Sequence, residues 1–447
     1  MKKWIWLLVL ILLCGCQGQE KTAKKETKKD TTKEVQEEKK LTGLLALHVD
    51  GTVLKDENND IIQLKGLSTH GLGWYPQYVT KETFSSLKKD FNINTIRLAM
   101  YTDGNQGYCT VDENRQKELR ELIDRGVAYT KELNMYAIID WHILSDGNPL
   151  QHKDVALAFF KEMANTYQDE KHVIYEICNE PNGTTSWNEI KTYSQEVISI
   201  IREYDDDAII IVGTPNLSQD VDQITPIEDK NIVYALHFYA DSHRGELRSK
   251  LLNALDKKIP VFVSEFGICD ASGNGAINED EAKKWLDLLT EKNISYVAWN
   301  ISNKNETSSI LKESCQKVSD FNDEDYSVSG LWLKKYMNNE IETDSDKVNV
   351  IINADESWQN GNENVQKYSV IIQNNQQSRT NWTIKVEFNQ EVKVNDYWNC
   401  DYQLDGKTMT LTPKDYNKTL TPQQKYNDIG LILQYSGNLE IEKITFE

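Results

Sequence analysis

From residue 60 to residue 340 the chain alternates short apolar, β-branched runs with longer amphipathic stretches. The runs are Ile61–Leu67, Thr95–Tyr101, Tyr136–Trp141, Val173–Cys178, Ala208–Val212, Ile232–Phe238, Pro260–Phe266 and Tyr296–Ile301. Between them, apolar residues recur at helical spacing in stretches such as Lys81–Phe91, Glu113–Leu133, Val155–Tyr167, Trp187–Glu203 and Glu279–Lys292. Eight strand signals with intervening helices predict an α/β fold, a (β/α)8 TIM barrel. A doubly wound sheet fits less well, because no GxGxxG or GxxxxGK[ST] turn follows any run. After Ile341 the helical period stops. Alternating segments at Val348–Asn353, Tyr368–Gln373, Trp382–Phe388, Thr408–Thr412, Gly430–Gln434 and Leu439–Phe446 predict a small all-β sandwich over residues 346–447.

The N-terminal residues have another texture. Lys2 and Lys3 precede an apolar run from Trp4 to Leu13, short of the ~20 residues that a membrane-spanning helix needs. This predicts a signal peptide over residues 1–15. Its end, Leu13-Cys14-Gly15-Cys16, resembles the lipobox of bacterial lipoproteins. That resemblance implies cleavage before Cys16 and a diacylglycerol on its thiol, with plain secretion as the alternative. Residues 16–42 alternate Lys, Glu and Thr with no aromatic side chain, which predicts a charged flexible tether. The barrel then occupies residues 43–342. An exported monomer is expected, touching a membrane only through its lipid anchor at the bacterial cell surface.

Charge and cysteine content narrow the chemistry. Seventy acidic side chains against 50 basic ones leave a formal charge of −20, which excludes a nucleic-acid backbone as partner. Residues 1–40 hold ten Lys against six acids, so the folded body is more acidic than the total implies. The seven cysteines, at 14, 16, 109, 178, 269, 315 and 400, form no CxxC or Cys/His cluster, so neither zinc nor a disulfide framework is signalled. His237 and His243 lack a third ligand in metal spacing, and Asp205–Asp207 reads as a solvated turn. No metal and no cofactor is expected. Eleven Trp and 21 Tyr, by contrast, suit flat ligands that stack on rings.

A barrel places its chemistry at the C-terminal ends of the strands. Just past the runs stand His70 and Trp74, Arg97, Asp140-Trp141-His142, Asn179-Glu180-Pro181, His237-Phe238-Tyr239, Glu265-Phe266-Gly267 and Trp299-Asn300. Glu180 ends the fourth run and Glu265 the seventh, so the two carboxyls can face one another across the mouth. Cleavage of a glycosidic bond by the retaining route uses such a pair, one carboxyl protonated and the other ionised.

The motifs Ile177-Cys178-Asn179-Glu180-Pro181 and Ser264-Glu265-Phe266-Gly267 resemble the signatures of glycoside hydrolase family 5. The likeness extends to Gly66–Pro76, Ile96-Arg97, Asp140-Trp141-His142, Leu236–Ala240 and Ala298–Leu311, and is strongest to the bacterial endoglucanases of that family. It implies a retaining endo-β-1,4-glucanase acting on cellulose or another β-glucan. Glu180 would be the acid/base and Glu265 the nucleophile. Asn179 would hydrogen-bond the sugar 2-hydroxyl, and Arg97 would keep Glu265 ionised. Tyr239 would contact the nucleophile, while His142 and His237 would orient the acid and the sugar. Trp299 would form the floor of the cleavage site. His70, Trp74 and Lys304 match further cleft positions, although Asn303 stands where Asp would be expected beside Lys304. A β-mannanase or mixed-linkage glucanase shares these motifs, and a lipid-anchored sugar receptor would share the tether but not the carboxylate pair.

Parts of the sandwich resemble a family 2 carbohydrate-binding module: Trp358-Gln359-Asn360-Gly361, Asn381-Trp382-Thr383, Tyr397-Trp398-Asn399, Tyr416-Asn417 and Leu420-Thr421-Pro422. The resemblance implies that Trp358, Trp398 and Tyr416 form a flat strip for cellulose. Tyr416 replaces a more usual Trp, and Trp382 matches a core ring.

Overall fold

The computed structural model describes residues 44–341, 348–361, 363–374, 378–421 and 424–446. Cys16, the signal peptide and the tether lie outside these residues. Eight parallel strands close into a barrel: Lys65–Thr69, Thr95–Tyr101, Tyr136–His142, Val173–Glu176, Ile210–Val212, Ile232–Tyr239, Val261–Gly267 and Tyr296–Ile301. Closure comes from the last strand, which pairs with both the first and the seventh.

Helix starts follow from local chemistry. Thr80, Asp112, Ser186, Asn278 and Ser327 each accept a hydrogen bond from the backbone N–H three residues on, satisfying a donor the helix leaves free. At Ser186 the Glu189 side chain reaches back to complete a capping box. Helices Gly245–Asp256 and Val328–Met337 also flank the barrel.

Two departures from the sequence pattern matter. The first strand begins at Lys65 and not Ile61, because Ile61 is exposed and the parallel register starts only at Lys65. The fourth strand ends at Glu176, four residues before Glu180. Beyond it the chain stays bonded to the third strand and the loop after it, Asn179 N–H to Trp141 O at 3.2 Å and Glu180 N–H to Ile143 O at 3.3 Å. These amides carry Glu180 out over the mouth.

The barrel interior is layered. A hairpin of Leu47–Asp50 and Val53–Asp56 plugs the N-terminal end, packing Leu47 and Leu54 against Ile138, Ile174, Val233, Phe262 and Val297. Toward the other end the lining turns polar, with Ser68, Arg97, Asp140, Glu176 and Ser264 all fully buried. Buried polar groups are tolerated only when paired. Their pairing builds the site described below.

The C-terminal strands form two four-stranded sheets. One is ordered Val348–Asn360, Glu363–Asn374, Gln424–Tyr435, Lys393–Trp398; the other is Cys400–Asp405, Thr408–Pro413, Ile384–Phe388, Ile441–Phe446. The Lys393–Trp398 strand escapes pattern reading because it is an edge with little buried on either face. Trp382 lies in the core, its indole N–H donating to Asn417 O at 3.1 Å. Among the described residues all five cysteines are free thiols.

Candidate active site

Glu180 and Glu265 meet at the C-terminal mouth. Each offers an oxygen that, with one ring nitrogen of His237, falls within 4.8 Å of the others. Their partners differ. Glu265 Oε1 accepts from the Tyr239 hydroxyl at 2.8 Å and Oε2 faces Arg97 Nη1 at 3.4 Å. Burial and the Glu265 charge push the Tyr239 phenol well above its ordinary range, so it stays a donor. Glu180 Oε1 lies 3.0 Å from His237 Nδ1. The donor atoms of this cluster are thus already engaged by one another and by Arg97 and Tyr239.

Under the carboxylates runs a buried ionic layer centred on Arg97. Its Nε donates to Glu176 Oε2 at 2.7 Å and its Nη2 to Asn179 Oδ1 at 2.7 Å, with Asp140 Oδ2 at 3.0 Å. An arginine fork can serve several acceptors in fixed directions. Burial works against the Glu176 charge, but Arg97 and His237 together outweigh it and hold that carboxyl down at about 2. Asp140 is pushed well above the carboxylate range by burial. It binds His142 Nδ1 at 2.7 Å, and burial lowers that imidazole to about 3, leaving a neutral ring.

Each residue singled out in the sequence has a definite place. The cleft is lined by Glu180, Glu265, His70, His142, His237, Tyr239, Trp299 and Lys304. Trp299 stacks on His142, ring centres 5.2 Å apart and 15° from parallel. Lys304 pairs with Glu306 at 2.5 Å, close to His70. Asn179 is fully buried, its Nδ2 spent on Ile143 O at 3.1 Å and His142 Nε2 at 3.3 Å.

Arg97 stands beside Glu265, Nη1 3.4 Å from Oε2, and is completely buried with its donors taken by protein oxygens, so it meets Glu265 and not a ligand in the cleft. Trp74 is half-buried beside the cleft, edge-on to the cleft residue Tyr101 at 5.1 Å and donating to Asn105. Asn303, at the position of the unexpected residue, is turned away with its amide on Cys315 O at 2.9 Å.

On the sandwich, register decides which rings share a face. Trp358 pairs with Val365, and Trp398 pairs with Gly430, which pairs with Ser369. Val365 and Ser369 are four residues apart on one strand, hence on the same face. The Trp398 ring lies flat across Gly430, where any Cβ would fall inside the indole. Tyr416, 72% exposed, joins this end through its hydroxyl, which donates to Asn399 Oδ1 at 2.7 Å. Trp358 is 45% exposed at the opposite edge of the sheet.

A family model described as cellulase (glycosyl hydrolase family 5) matches residues 55–305, which include the mouth residues apart from Glu306 and Ser308. The chain belongs to glycosyl hydrolase family 5. A cellulose binding domain model matches residues 348–445. Endoglucanase A of Butyrivibrio fibrisolvens is 46% identical over 290 residues, covering 64% of this chain and 67% of that protein. An endoglucanase of Clostridium saccharobutylicum is 44% identical over 292 residues, 65% of this chain and 64% of its own length. Among solved structures, cellulase Cel5C_n superposes with a TM-score of 0.63 at 40% identity, covering 65% of this chain and 91% of that one. The catalytic domain of Thermobifida fusca endoglucanase Cel5A, in a complex with cellotetraose, gives 0.61 at 35% identity, covering 66% and 97%.

In this family 5 glycoside hydrolase the sequence reading missed part of the site. Glu176, Ser264, Tyr101 and Glu306 were not singled out, and Asp140 was quoted only inside a motif. Glu176 carried a usable signal, since an acid inside an otherwise apolar strand needs a buried cation, and Arg97 stands on a strand of the same sheet. Tyr101 and Glu306 carried none, because nothing local separates a cleft tyrosine or a loop glutamate from a surface one.

Proposed function

We propose that this protein is a retaining endo-β-1,4-glucanase that cuts internal bonds of cellulose or a related β-glucan. One observation carries the reading: Glu180 and Glu265 approach within 4.8 Å in an open cleft, each held by different partners. Carboxyls ~5–5.5 Å apart suit the retaining route, because no water fits between them and one carboxylate must itself attack. Glu265 attacks the anomeric carbon while Glu180 gives its proton to the leaving glycosidic oxygen. Glu180 then takes a proton from the water that frees the sugar from Glu265. The Trp299 ring, steadied on His142, offers the floor for the sugar at this point. The two relatives named above are both called endoglucanases, which agrees with this reading.

The sandwich completes the proposal. Trp358, Trp398 and Tyr416 stack on glucan faces and hold the barrel near its substrate. Export and anchoring through Cys16 rest on the lipobox-like Leu13-Cys14-Gly15-Cys16 alone.

A substrate panel of cellulose, mannan, xylan and barley glucan with product sizing tests the assignment. Internal cuts in cellulose or β-glucan, lost in Glu265→Ala and Glu180→Ala without loss of fold, are the expected outcome. Dominant release from mannan would replace the substrate, and full activity of either variant would remove the mechanism.

A further inference from the structure

Ser264 and Glu176 take no part in the scheme above, yet both are completely buried directly behind His237. Ser264 Oγ stands 2.7 Å from Glu176 Oε1 and 2.9 Å from His237 Nε2, whereas the direct distance from Nε2 to Glu176 is 3.8 Å. The serine is therefore the link. An ionised carboxylate has no hydrogen to give, so the Ser264 hydroxyl must donate to Glu176. Its oxygen then accepts, and the hydrogen it accepts belongs to Nε2. The other nitrogen, Nδ1, is left to face Glu180 Oε1 at 3.0 Å. Two states satisfy that contact: an imidazolium donating to a carboxylate, or a neutral ring accepting from a carboxylic acid. They differ only in where one proton sits.

We propose that His237 is the proton store of the acid/base Glu180, and that Ser264 and Glu176 are positioning residues that keep its proton-exchanging nitrogen on Glu180. The proposal rests on the glycosidase reading. In the first step the shared proton passes to the leaving oxygen, the C1–O bond breaks and a bond from Glu265 to C1 forms. The pair is left as a Glu180 carboxylate beside a ring that carries hydrogen only on Nε2. In the second step water attacks C1, the Glu265–C1 bond breaks, and the proton of the water returns to the pair. Protons and bonds balance over the cycle.

The surroundings favour storage. Glu176 and Glu180 face the ring from the fourth strand and its loop, and Glu265 from the seventh. Arg97, Asp140 and His142 on the second and third strands lie beneath it, and Tyr239 and His243 line the same cleft. Burial opposes the imidazolium, but the hydrogen bonds toward Glu176 and Glu180 prevail and lift His237 to about 9.

Ser264→Ala tests this on the full chain. Losing the acceptor on Nε2 should shift the basic limb of the kcat/KM profile acidward by about one pH unit, with KM little changed. Ser264→Thr, which keeps the hydroxyl, should restore it. Glu176→Gln lets the amide donate to Ser264, so the hydroxyl can turn toward Nε2, and the same shift is expected. In parallel, 15N NMR of the imidazoles, with His237 assigned by its loss in His237→Gln, should show the Nε2–H tautomer in the wild type once the ring is neutral, above its titration at about 9. It should also show a lowered His237 titration in Ser264→Ala. An Nδ1–H tautomer in the wild type overturns the proposal, as does an unmoved titration in both folded variants. The NMR arm needs no substrate. A wild type that cleaves no β-glycan therefore sinks the catalytic reading and the storage role with it, while the tautomer still reports on Ser264 and Glu176.

Discussion

Arg97 holds Asn179 by a 2.7 Å hydrogen bond from Nη2 to Oδ1, and this contact ties the second strand to the loop that ends in Glu180. The same guanidinium reaches Glu176, Asp140 and Glu265. One buried cation thus sets the side chain next to Glu180 and also faces Glu265. Replacement by Lys keeps the charge but not the fork. Arg97→Lys should fold and lose on the order of 100-fold in kcat/KM on a soluble cellulose derivative, because a misplaced site costs about that much. Arg97→Ala leaves the buried Glu176 carboxylate without its cation, and a loss of about 3–5 kcal/mol in chemical denaturation is expected.

The sandwich aromatics should separate binding from turnover. Trp358→Ala or Trp398→Ala should lower adsorption to insoluble cellulose several-fold while leaving hydrolysis of a soluble glucan unchanged. Gly430→Ala tests the same face without touching a ring, since its Cβ would lift Trp398 off the sheet. Pull-down isotherms on microcrystalline cellulose measure both.

Thermal stability should peak near neutral pH. Burial holds His142 and His70 at about 3 and about 4, so the unfolded chain takes up those protons first as pH falls below 6.5. Their contribution is present above 6.5 and drains away on acidification. Glu176, at about 2 in the fold, adds a further loss below its ordinary value of 4.5. His237 behaves oppositely: at about 9 its contribution is complete below 6.5 and lost as pH rises through 9. Melting curves from pH 4 to pH 10 check this, and His237→Gln should flatten the alkaline side.

Trp382 is a core residue of the sandwich, 2% exposed. Trp382→Ala should destabilise that domain by about 3–5 kcal/mol, read as a separate low-temperature transition in calorimetry. A single unshifted transition would contradict the placement.

Much of the site was legible because barrel geometry turns sequence position into spatial position. A polar residue just past an apolar run arrives at the mouth, which is how His237, Tyr239, Glu265 and Trp299 were found. Arg97 was placed beside Glu265, but only the closed barrel shows that its donors are also spent on Glu176, Asp140 and Asn179 beneath the floor.

The order of apolar runs by itself determined eight strands, their helices and a β-rich end, because period and burial are local properties of the chain. The motif residues determined the family of chemistry. What only the tertiary structure decided was how charges are shared. The polar layer of Arg97, Asp140, Glu176 and Ser264 draws on four strands spread over more than 160 residues of sequence. Pairing in a buried layer depends on distances of a few ångströms between strands that closure alone brings together. For the same reason the flat Trp398 face depended on register, which brings Gly430 beneath the ring from a strand distant in sequence.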